Sequence, residues 1–157
     1  MEPDAVPAAT PAELDALEAR ITAWLAGEAA TNPVIAAVDR GEPGERRWYV
    51  RLLGEEKDVT TIWLTLGQRT LHYETYVMPA PIEQHAELYE YLLRRNQGYF
   101  GVAFAIGPED AVYLVGQIPV HTIDEGELDR ILGSLWEATE RSFRTATRLG
   151  YASVFRG

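Results

Sequence analysis

The amino-acid sequence predicts an α+β fold, an antiparallel sheet with helices packed on one side, in the order α-βββ(β)-α-ββ-α. Three observations carry that prediction. Apolar residues recur at helical spacing near both ends of the chain and once in its middle. The runs between them alternate with a period of two, and short glycine-containing turns join those runs into hairpins.

The first helix announces its start. Thr10 supplies a capping hydroxyl, Pro11 fits the first helical position, and Glu13 can bond back to the cap. Leu14, Leu17, Ile21, Trp24 and Leu25 then form one apolar stripe, which Gly27 is expected to end. Residues 1–9, rich in alanine and proline, read as a flexible arm, and 10–157 as a single domain.

From residue 34 the period becomes two. A short extended piece at 34–39 precedes the turn Gly41-Glu42-Pro43-Gly44, after which Trp48, Val50 and Leu52 alternate with Arg47, Tyr49 and Arg51. A second strand near 59–66 and a third near 69–78 meet at Gly67-Gln68. A two-residue turn there places Leu64 opposite Leu71, Ile62 opposite Tyr73 and Trp63 opposite His72. One face is core, and the other is mixed aromatic and polar.

Met78-Pro79-Ala80-Pro81 breaks the sheet and leads into a helix with Glu83 in its first turn and Arg94 and Arg95 in its last. Ile82, Ala86, Tyr89, Leu92 and Leu93 are expected to form its inner stripe. Strands at about 99–106 and 111–118 follow, joined by Gly107-Pro108-Glu109-Asp110. A four-residue loop pairs Ala105 with Val112 and Ala103 with Leu114, collecting small side chains on one face and Val102, Phe104, Tyr113 and Val115 on the other. Neither face is polar, so both need a cover. Asp124 and Glu127 cap a last helix, stapled by Ile123 and Leu128, whose stripe includes Leu135, Trp136 and Phe143.

A chain of 157 residues with a formal charge of −10 repels phosphate backbones and anionic lipids, so neither nucleic acid nor a membrane surface is an expected partner. Cysteine is absent, which excludes disulfides and thiolate metal sites. The amino terminus lacks the basic and apolar regions of a signal peptide, and a cytoplasmic location is expected.

The search for chemistry is mostly negative. His72, His85 and His121 fall on different elements without metal-ligand spacing, so no metal is expected. The acids are spaced as solvated helix faces, and the serines lack a nucleophile elbow. Gly98-Tyr99-Phe100-Gly101 enters a strand where a phosphate loop would enter a helix. No catalytic residue and no cofactor is assigned. The aromatic set Tyr49, Trp63, Tyr76 and Tyr113 stands out instead, since Trp and Tyr anchor protein interfaces. Trp63, Tyr76, Phe104, Tyr113 and Val115 are the candidate partner-binding residues.

The run from Trp48 through Val77 and Met78-Pro79-Ala80-Pro81 carries a resemblance. So do Leu88-Tyr89, Leu92-Leu93-Arg94-Arg95-Asn96, Phe104-Ala105-Ile106 and Ile123-Asp124-Glu125-Gly126-Glu127-Leu128-Asp129. Over residues 11–150 the chain resembles the actinobacterial type of YbjN domain, a group similar in fold to class I type III secretion chaperones. The resemblance implies a small acidic homodimer that binds a client protein or peptide and performs no chemistry, with Asn96 as a structural cap. The alternative is a small-ligand or enzymatic domain with a pocket between sheet and helices around Tyr73, His72 and Arg51.

Overall fold

The computed structural model describes residues 6–155. Helix α1 runs Pro11–Thr31, α2 His85–Arg95 and α3 Glu125–Gly150. Six strands lie between them: β1 Ile35–Arg40, β2 Arg47–Leu53, β3 Val59–Leu66, β4 Thr70–Met78, β5 Ala103–Ile106 and β6 Val112–Pro119. They form one antiparallel sheet in the order β1-β2-β3-β4-β6-β5, so the last hairpin inserts β6 beside β4 and leaves β5 on the edge.

The expected capping box is present at Thr10 and Glu13, and Asp124 accepts from the Glu127 N–H at the start of α3. Helix α1 does not stop at Gly27 but continues to Thr31, whose hydroxyl donates to the Gly27 carbonyl. The extended piece after it is a true strand, paired with β2 from Ile35 to Arg40. Of the expected N-terminal arm, residues 1–5 lie outside the described residues. Residues 6–9 are tied to the β3–β4 turn by the Ala9 N–H on the Gln68 carbonyl and by Arg69 on the Val6 carbonyl.

The core lies between the sheet and the helices. Trp48, Val50, Ile62, Leu64, Leu71, Tyr73 and Leu114 point inward from the strands. They meet Leu14, Ile21 and Leu25 of α1 and Leu128, Ile131, Leu135 and Ala138 of α3. The fully buried indole is Trp48, whose Nε1 donates to the Thr22 hydroxyl at 3.0 Å. Trp136, expected in the inner stripe, is half-buried at the rim, where its Nε1 donates to the Leu53 carbonyl at 2.9 Å.

Both hairpin registers differ from the expectation, with unequal consequences. In β3–β4 the loop centres one residue later than Gly67-Gln68, closed by the Gly67 N–H on the Thr70 carbonyl. Leu66 therefore faces Leu71 and Leu64 faces Tyr73. That slip of two preserves every inward and outward assignment. In β5–β6 the loop holds one more residue, because Glu109 and Asp110 both adopt left-handed backbone at φ 59° and 58°. Ile106 pairs with Val112, Phe104 with Leu114 and Ala105 with Tyr113. A slip of one exchanges the faces: Val102 and Phe104 turn toward the helices, and Ala103 and Ala105 join Tyr113 and Val115 on the outer side.

The stretch before β5 does not continue the strand. Residues 99–102 fold back over Gly116, where a Cβ would lie 2.2 Å from the Gly101 carbonyl oxygen and 2.3 Å from the Tyr73 ring. The Tyr73 hydroxyl donates to that same carbonyl at 2.7 Å. Glycine at 116 thus lets a second layer of backbone seat directly on the sheet.

Candidate partner-binding surfaces

Helices cover one side of the sheet, and the other carries ordered rows of side chains. Cross-strand pairing aligns Arg47, Thr65, His72 and Gln117 in a polar row. Beside it runs the mixed row Tyr49, Trp63, Glu74, Val115 and Ala103. Tyr76, Tyr113 and Ala105 form an aromatic row toward the end of β4. The Tyr76 and Tyr113 rings meet edge to face at 5.6 Å, and Trp63 lies 6.4 Å from Tyr113. Gly107 lies under the Tyr113 ring, where a Cβ would come within 2.4 Å. Four of the five expected partner-binding residues, Trp63, Tyr76, Tyr113 and Val115, are thus gathered half-buried on one face.

Lys57 props up this cluster from beneath. Its ammonium donates to the Tyr76 carbonyl and lies 5.3 Å from the Tyr76 ring centre and 5.9 Å from that of Phe143. It enters no ion pair among the described residues, and burial pulls its pKa down to about 8. Burial likewise pushes the Tyr76 phenol up.

Phe104, the fifth expected residue, is only 8% exposed and faces the helix side. It forms the floor of a groove of about 430 Å³ between α2 and β5, walled by Tyr89, Leu92, Leu93, Ile106 and Val112. Here the exposed residues differ from the sequence reading. Helix α2 buries Leu88 and Leu92, while Ile82 and Leu93, expected inward, are 58% and 67% exposed; Ile106, which lines the groove with Leu93, is 56% exposed. The helix also begins later than expected. Gln84 takes left-handed backbone at its N-cap, and Glu83 lies ahead of it, accepting from the Ser153 N–H.

Asn96 proves structural in a way its sequence position did not show. Its side-chain oxygen accepts from the Phe104 N–H at 2.7 Å, and its amide nitrogen reaches the Phe104 carbonyl at 3.5 Å. It occupies, at that residue, the place a further strand would take on the β5 edge. Among the described residues, no side-chain amide bonds the backbone of β1 itself, the nearest being Asn32 on the Val34 N–H.

The residues around which a ligand pocket was expected do not converge. Tyr73 is buried with its hydroxyl on Gly101, whereas His72 and Arg51 lie on the opposite, outer face. Among the described residues no group of three or more His, Cys, Asp or Glu is placed to hold a metal ion. No described helix is long and apolar enough to cross a membrane.

The architecture defines an α+β class in which three helices back one face of an antiparallel sheet and leave aromatic and aliphatic surface open. Residues 18–148 match the YbjN family model, described as "Putative bacterial sensory transduction regulator". The chain belongs to the YbjN family. It is 36% identical over 110 residues to the uncharacterized protein ML2442 of Mycobacterium leprae, covering 70% of this chain and 60% of that one. It is 35% identical over 104 residues to the uncharacterized protein Rv0487 of Mycobacterium tuberculosis, covering 66% of this chain and 57% of that one. The chain therefore matches about three fifths of the length of these relatives.

Among solved structures, the fold is similar to a chain of the ExsC–ExsE complex, with a TM-score of 0.56 at 19% identity over 82% of this chain and 94% of that one. It is also similar to a chain of the heterodimeric ExoU–SpcU complex from the type III secretion system of Pseudomonas aeruginosa. There the TM-score is 0.53 at 16% identity, over 79% and 95% of the two chains. The fold is type III secretion chaperone-like, as the sequence resemblance implied.

Proposed function

We propose that this chain is a non-enzymatic protein-binding adaptor of the cytoplasm that acts as a homodimer and holds a client segment. The observation that carries the reading is the unpartnered apolar surface of α2 and β5. Leu93 and Ile106, each more than half exposed, line an apolar groove together with Tyr89, Leu92 and Phe104, a concentration that single surface hydrophobics do not explain. A two-fold contact covers one such patch with its own copy. Because Asn96 blunts the β5 edge, helix α2 rather than strand pairing forms the centre of that contact. The outer aromatic face, with Trp63, Tyr76, Tyr113 and Val115, then remains free for a client. Solved neighbours of this fold come from two-protein complexes, which supports the reading without naming a client for this chain.

Light scattering beside circular dichroism tests it. Leu93→Asp places a charge on a side chain that is already 67% exposed, so the monomer should keep its helical signal while the dimer dissociates. Tyr113→Asp should leave the dimer intact and weaken client binding. Dissociation by Tyr113→Asp and not by Leu93→Asp would move the dimer to the outer sheet face.

A further inference from the structure

A second groove lies on the opposite flank of the molecule, where α1 and α3 meet the start of β1. It has a volume of about 210 Å³, and Ile35, Leu52 and Leu132 are the buried residues of its lining. Trp24 of α1 and Trp136 of α3 line it as half-buried indoles, and Glu28 and Asp129 contribute carboxylates from the same two helices. Gly133 adds no side chain to the lining, and a Cβ there would meet nothing within 4 Å. Neither Glu28 nor Asp129 forms an ion pair among the described residues. The neighbouring cations are engaged elsewhere, Arg20 on Glu125 and Arg130 on Glu127.

Two indoles, an apolar floor and two carboxylates outside any ion pair among the described residues form a set that favours one kind of guest. An aliphatic stem fills the floor, a cation is attracted to the ring faces, and the carboxylates accept its hydrogen bonds. An arginine side chain satisfies all three at once, because its methylene stem is apolar and its planar guanidinium stacks on aromatic rings and meets carboxylates through paired N–H donors. The net charge of −10 draws basic segments toward the chain as a whole. We propose that this groove is a recognition site for an arginine side chain carried by an extended segment of a partner protein. The segment lies along β1, an edge strand of the sheet whose first residue, Ile35, lines the groove. The proposal rests on the protein-binding reading but uses a surface separate from the dimer contact and from the outer aromatic face.

The probe is the blocked peptide acetyl-Val-Thr-Arg-Val-Thr-amide, titrated into the full chain while the four indole N–H resonances are followed by NMR. Trp24 and Trp136 should shift, with Trp48 and Trp63 as internal controls that stay still. Replacing the peptide's arginine by glutamine should weaken binding at least tenfold. So should the paired substitution Glu28→Gln with Asp129→Asn, and so should Gly133→Leu, which fills the groove from an exposed helix position. Equal binding of the arginine and glutamine peptides overturns the proposal, as does a shift confined to Trp63. Equal binding of free argininamide overturns the assignment to a protein segment. Sedimentation of the same variants separates this site from the dimer: both must keep the wild-type mass, and a variant that dissociates overturns the independence of the two surfaces.

Discussion

Replacing Trp48 by alanine removes the one indole that is fully buried, and the structure gives its consequences in parts. The ring lies at 0% exposure between the sheet and α1, with Arg40 4.9 Å above its centre and its N–H on Thr22. Truncating a buried aromatic side chain to alanine costs about 3–5 kcal/mol. The hydrogen bond accounts for about 1 kcal/mol of that, which Thr22→Val isolates. With a urea slope of about 2 kcal/mol per molar, the unfolding midpoint should fall by about 1.5–2.5 M. Trp136→Ala removes a half-buried ring and one bond to a carbonyl at the rim, so its midpoint should fall by less than half as much. The assay is urea denaturation followed by far-ultraviolet circular dichroism, which does not depend on the deleted fluorophore. Equal losses for Trp48→Ala and Trp136→Ala would refute the assignment of which helix face meets the sheet.

Two further predictions follow from local geometry. Gly116→Ala forces a Cβ against the Gly101 carbonyl and the Tyr73 ring, so it should cost about 1–3 kcal/mol by the same titration; a neutral effect would show that residues 99–102 do not seat on the sheet. Lys57, the one lysine of the chain, should titrate near 8 and not near 10.5, seen as the carbon-13 shift of its reductively methylated amine. Between these values the unfolded chain binds more protons than the folded one. Stability relative to Lys57→Met should therefore rise with pH across that window and be flat below it. A titration near 10.5 would place Lys57 in water.

The legible parts of this fold were those specified by local chemistry. Thr10-Pro11 and Asp124 marked helix starts because a cap needs only its own first turn. Trp48, Val50 and Leu52 fixed a strand face because alternation needs no partner to be read. The misread parts depended on distant contacts. Helix α2 carries two parallel stripes one residue apart, Leu88 with Leu92 and Tyr89 with Leu93, and only packing against α3 decides which is buried. The β5–β6 register turned on Glu109 and Asp110 both accepting left-handed backbone, an unusual choice for glutamate that the sequence does not announce. That pair of residues decided whether Phe104 faced a partner or the chain's own core. Of the candidate surface, the aromatic face emerged from residue type alone. The α2 groove and the acidic indole groove needed three-dimensional placement, because their walls come from elements far apart in sequence.

The central claim, that the open α2 surface is covered by a second copy, is tested most directly by the solution mass of the unmodified chain. Sedimentation equilibrium at tens of micromolar should return twice the 17.5 kDa of one chain, and Leu93→Asp should return 17.5 kDa with an unchanged circular dichroism spectrum. Such a contact should bury at least about 1,000 Å² in total, the lower bound for a specific interface. A wild type that sediments as a single chain at that concentration would contradict the account.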